Sequence, residues 1–182
     1  MKLHDTDLQG LKVIELKVFG DERGFFTERF VEQRFKDKGI TNNFVQDNHS
    51  RSEPNIIRGL HYQKNPNQAK LVSCISGRIL DVAVDIRKNS KTYGQHFDIE
   101  LSGENGLILF IPAGFAHGFS VISNVPADVI YKVDGYYNPE GEGGILYNDP
   151  KLNINWKVQN PEISDRDKKL MSFEEYSDSS VF

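Results

Sequence analysis

The stretch Leu80-Asp81-Val82-Ala83-Val84-Asp85-Ile86 decides the fold class. Leu80, Val82, Val84 and Ile86 alternate with Asp81, Ala83 and Asp85, the period-two pattern of a half-buried β-strand. The pattern recurs downstream. Phe97, Ile99 and Leu101 alternate with His96, Asp98 and Glu100, and Val129, Tyr131 and Val133 alternate with Ile130, Lys132 and Asp134. Gly106 to Ile111 is continuously apolar and reads as a strand covered on both faces. Gly77, Asn89-Ser90, Gly103, Pro112-Ala113-Gly114 and Asn124 supply the turns. Helical signal is confined to the flanks. Val31 to Lys38 sets Val31 and Phe35 one turn apart and ends at Gly39. Ser164 to Tyr176 predicts a short helix with Ser164 as its N-cap. Many closely spaced strands with helices only near the ends imply an all-β sandwich or barrel, with room inside for one small ligand.

The chain has 182 residues, a length that fits one domain spanning 1–182. Such a chain buries enough surface to fold without disulfides or a structural metal. Lys and Arg total 22 against 26 Asp and Glu, a net charge of −4. That balance argues against a nucleic-acid partner or a polybasic membrane anchor, so any anion must be held by a few placed cations. One cysteine, Cys74, allows no internal disulfide and suits a reducing compartment. It alternates with Ser73 and Ile75 and reads as buried filler. The start, Met1-Lys2-Leu3-His4-Asp5, lacks the apolar core of a signal peptide, and the longest apolar run, Leu107 to Ala116, is broken by Pro112 and Gly114. A cytoplasmic protein without a membrane partner is the expectation.

Two segments carry chemistry: Gln46-Asp47-Asn48-His49-Ser50 with Arg58-Gly59-Leu60-His61-Tyr62-Gln63, and Ile111-Pro112-Ala113-Gly114-Phe115-Ala116-His117-Gly118-Phe119. The second resembles the Pro-x-Gly-x-x-His box of cupin jelly rolls. Metal-binding cupins also need a His-x-His pair and a carboxylate in an earlier box, where this chain has only His61 before Tyr62 and Gln63. Too few ligands remain for a divalent site, so no metal is expected.

With Asp21-Glu22-Arg23-Gly24-x-Phe26-x-Glu28, Asp81 to Arg87, Tyr131-Lys132, Tyr136-Tyr137-Asn138-Pro139, Asn148-Asp149-Pro150 and Ile154-Asn155-Trp156, the sequence resembles the dTDP-4-dehydrorhamnose 3,5-epimerase family from about Leu11 to Lys168. The resemblance implies an all-β cupin-type jelly roll. It also implies an isomerase needing no cofactor, which inverts carbons 3 and 5 of a dTDP-4-keto-6-deoxy sugar. Both carbons flank the ketone, so a departing proton leaves its charge delocalised onto oxygen. The reaction then needs a base on one face, an acid on the other and a donor at the oxygen.

The family's catalytic roles map onto His61 as base, Asp167 as its carboxylate partner, Tyr131 as acid and Lys70 near the ketone oxygen. Tyr131 shares an apolar strand face with Val129 and Val133, which points it into the barrel. Substrate contacts are implied for Arg23, Phe26, Glu28, Gln46, Asp47, Asn48, Arg58, His117, Tyr137, Glu142 and Arg166. Arginine forks suit phosphate oxygens, and Phe26 and Tyr137 suit thymine or deoxyribose. The family further implies a homodimer that exchanges an N-terminal strand, with Leu11 to Phe19 and Phe25 to Phe30 as candidate segments. Three departures stand out: Ile163 and Arg166 replace Leu and Lys near the end, and Lys91 replaces a proline.

Plainer readings stand beside these. His61 and His117 can be satisfied structural histidines, and Tyr131 ordinary rim packing. Asp167, three residues after Ser164, can serve a helix N-terminus, and Arg23, Arg58 and Lys70 can be solvated charges. The rival functions are a carbon-3 epimerase, a metal-dependent cupin oxygenase and a silent sugar-nucleotide binder.

Overall fold

The computed structural model describes residues 1–182. The chain begins with β1 (Lys2–Asp5), β2 (Lys12–Glu15), β3 (Val18–Asp21), β4 (Gly24–Thr27) and helix α1 (Glu32–Lys36). Eight strands follow: β5 (Gln46–Ser52), β6 (Ile57–Gln63), β7 (Lys70–Ser76), β8 (Arg78–Asp85), β9 (His96–Ser102), β10 (Leu107–Ile111), β11 (Phe115–Val121) and β12 (Ala127–Val133). The short β13 (Glu142–Gly144), a 3-10 turn at Asp167–Lys169 and helix α2 (Phe173–Asp178) complete it. Two antiparallel sheets result, in the orders β1-β2-β10-β7-β12-β5 and β13-β6-β11-β8-β9. They face each other as a jelly roll. β3 and β4 form a separate ribbon.

The core is layered. Val72, Leu109 and Val129 of the first sheet meet Ile79, Phe115 and Phe119 of the second. Ile108 and Phe110 point the other way, into Ile14, Phe35 and Ile40. This explains the unbroken apolar run before Pro112: both faces of β10 are covered. Full burial of such side chains stabilises by about 1.5–3 kcal/mol each.

β8 departs from the half-buried expectation. Its Leu80, Val82 and Val84 lie on the outer face, under Trp156, Phe173 and Tyr176 of the C-terminal segment. Its alternate residues Asp81 and Asp85 face inward and are fully buried. The polar half of the alternation therefore marks buried, partnered carboxylates rather than a solvent face. Asp85 is held by Arg87, Ser90 and Thr92. Burial opposes its charge, but those donors bring its carboxyl down to about 2.

The C-terminal helix is also shorter than expected. Ser164 does accept a hydrogen bond from the Asp167 N–H at 3.0 Å, but only the 3-10 turn follows. Leu170 then becomes extended, Met171 bridges to Ile145, and α2 starts afresh under a Ser172–Glu175 capping box. Cys74 is fully buried, and burial pushes its thiol up to about 11, which leaves it unreactive.

One close approach sets up the site. The antiparallel neighbours β6 and β11 come close enough that a Cβ on Gly118 would stand 2.6 Å from the Arg58 carbonyl oxygen. Glycine permits the contact, and the register shift beside it sets His117 opposite His61.

Candidate active site

Between the sheets opens a cavity of about 800 Å³. Period-two geometry decides what lines it. β5 presents Gln46, Asn48 and Ser50 inward and turns Asp47 out, where Lys132 pairs with it at 2.9 Å. β12 presents Val129 and Tyr131, and β7 contributes Lys70. The opposite wall comes from Arg58 and His61 on β6, His117 on β11 and Glu142 on β13. Tyr137 and Arg166 also line the cavity.

His61 Nε2 lies 2.7 Å from Asp167 Oδ1. The Gly59 N–H donates to the other carboxylate oxygen at 3.2 Å. Burial alone would raise the Asp167 carboxyl, but the histidine and this N–H hold it below the usual range. Asp167 thus stays anionic behind the ring. With Nε2–H donated to it, Nδ1 carries the lone pair. His117 repeats the motif, with Nε2 2.8 Å from Asp81 Oδ1 and both residues buried. Burial lowers the His117 ring below its ordinary value and so favours the neutral form. Each imidazole is engaged with a carboxylate of its own, and no three His, Cys, Asp or Glu side chains converge as ion ligands.

Across the cavity, burial raises the Tyr131 phenol above its ordinary value, with Glu142 adding to the effect. It stays protonated at neutral pH. Burial lowers the Lys70 ammonium to about 8, against the pull of Asp81 and Glu142. Glu142 accepts from the Tyr137 hydroxyl at 2.8 Å and from Arg166 at 2.7 Å. Those donors outweigh burial and keep Glu142 ionised. Arg58 Nε donates to Ser52 Oγ at 2.8 Å and Nη2 to the Arg51 carbonyl oxygen at 3.4 Å, which leaves Nη1 for an anion.

Asp47 and three N-terminal residues expected at the substrate do not line this chain's cavity. Arg23 sits at the ribbon tip, paired with Asp21 at 2.5 Å. Glu28 pairs with Arg34 at 2.5 Å, and Phe26 is 64% exposed beside Phe19. All three belong to the β3–β4 ribbon or its exit, which leaves the sheets. Conversely, Ser50, Gln63 and Asp81 fall within the quoted motifs, but the sequence reading gave them no role at the site. An aspartate amid an apolar strand was the available signal for Asp81.

A family model described as dTDP-4-dehydrorhamnose 3,5-epimerase matches residues 5–175. The chain belongs to this family. The Shigella flexneri dTDP-4-dehydrorhamnose 3,5-epimerase is 49% identical over 169 residues, 92% of this chain and 93% of that protein. The fold matches a Legionella pneumophila dTDP-6-deoxy-D-glucose-3,5-epimerase in complex with dTDP-4-keto-L-rhamnose. Its TM-score is 0.92 at 47% identity, covering 95% of this chain and 93% of that one. A 3′-monoepimerase from Streptomyces bikiniensis in complex with dTDP-quinovose also matches, with a TM-score of 0.91 at 27% identity over 98% and 91%. Membership in the epimerase family makes the protein an isomerase of nucleotide-sugar metabolism. No helix is long and apolar enough to cross a membrane.

Proposed function

We propose that the cavity converts dTDP-4-keto-6-deoxy-D-glucose to dTDP-4-keto-L-rhamnose by inverting carbons 3 and 5. His61 Nδ1 removes the proton beside the ketone, and the electron pair moves onto the carbonyl oxygen. Lys70 donates to that oxygen. Tyr131 returns a proton from the other face, the C–O charge collapses back to the ketone, and the two side chains re-equilibrate with solvent. The observation that carries this reading is that His61 and Tyr131 stand on opposite sheets and line one cavity. Asp167 behind the ring stabilises the imidazolium that forms.

Arg58 and Arg166 suit the diphosphate, Tyr137 the thymine, and Gln46, Asn48, His117 and Glu142 the remaining polar groups. In heavy water the purified protein is expected to exchange the substrate protons at carbons 3 and 5, seen as loss of both proton resonances. Absence of deuterium at either carbon would defeat the proposal. Exchange at carbon 3 alone would select the monoepimerase reading, which the Streptomyces relative keeps alive because the same fold serves it.

The working unit in this proposal is a homodimer of single-domain chains (1–182) in the cytoplasm. Its support is the exposed apolar ribbon, with Phe25 and Phe26 63% and 64% exposed beside Val18 and Phe19. Exchange of that ribbon would carry Arg23, Phe26 and Glu28 to the partner's substrate. Sedimentation equilibrium is expected to give twice the 20.7 kDa chain mass. A Phe25→Asp/Phe26→Asp variant is expected to dissociate and to weaken dTDP-sugar binding. A fully active monomer would defeat the dimer.

A further inference from the structure

One edge of the cavity is a stretch that packing does not hold. Of residues 136–140 none is buried, and Tyr136 and Tyr137 are 67% and 56% exposed. A segment without buried apolar anchors opens readily unless its backbone is tied down. Its two ends are tied. Gln68 Nε2 donates to the Gly135 carbonyl oxygen at 2.8 Å, and the Lys64 N–H donates to the Gly141 carbonyl oxygen at 2.9 Å.

Between the ends, one side chain does most of the holding. Gln63 is buried at the end of β6, two residues after His61 and on the same strand face. Its Nε2 donates to the Tyr136 carbonyl oxygen at 3.1 Å and to the Pro66 carbonyl oxygen at 3.0 Å. Its Oε1 accepts from the Asn138 N–H at 3.0 Å. A single amide therefore grips the backbone on both sides of Tyr137. Two other contacts help: Gln46 Oε1 accepts from the Tyr137 N–H at 3.3 Å, and Asn138 Nδ2 donates to the Asn65 carbonyl oxygen at 2.6 Å. The task at position 63 needs two donors and an acceptor on one group, which a primary amide has and a carboxylate lacks. The hold extends to the ring. The Tyr137 hydroxyl donates to Glu142 at 2.8 Å, and Glu142 is the register partner of Gln63 on β13.

We propose that Gln63 is a positioning residue: its amide locks this segment so that the Tyr137 ring is already in place to pack against a nucleotide base. A ring fixed beforehand gives up little freedom when the ligand arrives. β6 then carries the proton acceptor for the sugar and the clamp for the nucleotide two residues apart. That Tyr137 meets a nucleotide rests on the epimerase reading, whereas the clamp does not.

The test is hydrogen–deuterium exchange of the full-length protein read by mass spectrometry, with calorimetric titration of dTDP beside it. Gln63→Met keeps the length of the side chain and loses all three hydrogen bonds. In that variant the peptide spanning 134–141 is expected to exchange about tenfold faster, while β8 keeps its native rate. Affinity for dTDP is expected to fall about tenfold. Tyr137→Ala is expected to weaken dTDP binding too, and adding Gln63→Met to it is expected to cost nothing further, because Gln63 acts through that ring. A merely structural role would instead give additive losses. Additive losses, native dTDP affinity in Gln63→Met, or a 134–141 segment that speeds up only together with β8 would each overturn the proposal.

A second measurement needs no variant and holds if Gln63→Met folds poorly. In the native protein the Asn138 amide is expected to be protected at least about tenfold more than that of Asn124, which is exposed on the turn after β11. Equal protection, read by nuclear magnetic resonance, would overturn the clamp. Neither exchange measurement needs a nucleotide. A 134–141 segment that loosens in Gln63→Met, in a protein that does not bind dTDP at all, therefore counts against the epimerase reading alone.

Discussion

His61→Gln is expected to abolish proton exchange at both carbons, slowing it by about 10³-fold, or about 4 kcal/mol in the barrier. Glutamine keeps a donor for Asp167 but cannot take up a proton, so the loss reports chemistry rather than collapse of the pair. His61→Ala is a harsher change, because it also takes the imidazole away from the buried Asp167 carboxylate and leaves it with the Gly59 N–H and Ser164 for support. Breaking such a buried pair costs about 3–5 kcal/mol of stability, so the alanine variant is expected to melt earlier as well as fail catalytically. Nuclear magnetic resonance in heavy water reads exchange directly, and calorimetry reads stability. Exchange in His61→Gln within tenfold of the native rate would remove His61 from the base role.

How legible all this was in the sequence depends on the range of the interaction. The alternation around Leu80 to Ile86 and the unbroken run before Pro112 are local, and they implied an all-β sandwich or barrel; the jelly roll came from the resemblance. What alternation cannot say is which side faces the cavity. The apolar side of β8 lies under Trp156 and Tyr176, far along the chain, so the inward side proved to be the one carrying Asp81 and Asp85. The pairing of His61 with Asp167 spans 106 residues and that of His117 with Asp81 spans 36. No periodicity reports such contacts. The family resemblance carried Asp167 to its place, and it took in Asp81 only as part of the Asp81 to Arg87 motif, with no role attached. Asp47, expected at the substrate, faces away from the cavity for a simpler reason: in the run Gln46 to Ser50 alternate residues face opposite ways, and a motif read as a block hides that. The helix expected over Ser164 to Tyr176 is interrupted where Leu170 turns extended and Met171 bridges to Ile145, a partner 26 residues back that local pattern does not report.

Tyr131→Phe separates the two halves of the reaction. The phenylalanine ring keeps the packing against Val129 and removes one oxygen. With His61 intact, protons still leave, and deuterium can still return from the same face by way of the imidazole. The expected result is isotope entry at carbon 3 within about tenfold of the native rate. Formation of the L-configured product is expected to fall by about 10²–10⁴-fold. The pH dependence adds a second discriminator. Burial raises the Tyr131 phenol, so its proton is retained through the neutral range and lost only further toward alkali than for a free tyrosine. Lys70, lowered by burial to about 8, becomes neutral sooner as pH rises. An alkaline fall in exchange near pH 8 therefore belongs to Lys70. It is expected to persist in Tyr131→Phe and to vanish in Lys70→Met, where only a low, flat rate remains. If Tyr131→Phe instead loses exchange and product in equal measure, the phenol acts before or during proton removal, and the opposite-face acid must be sought among the other groups lining the first sheet's wall.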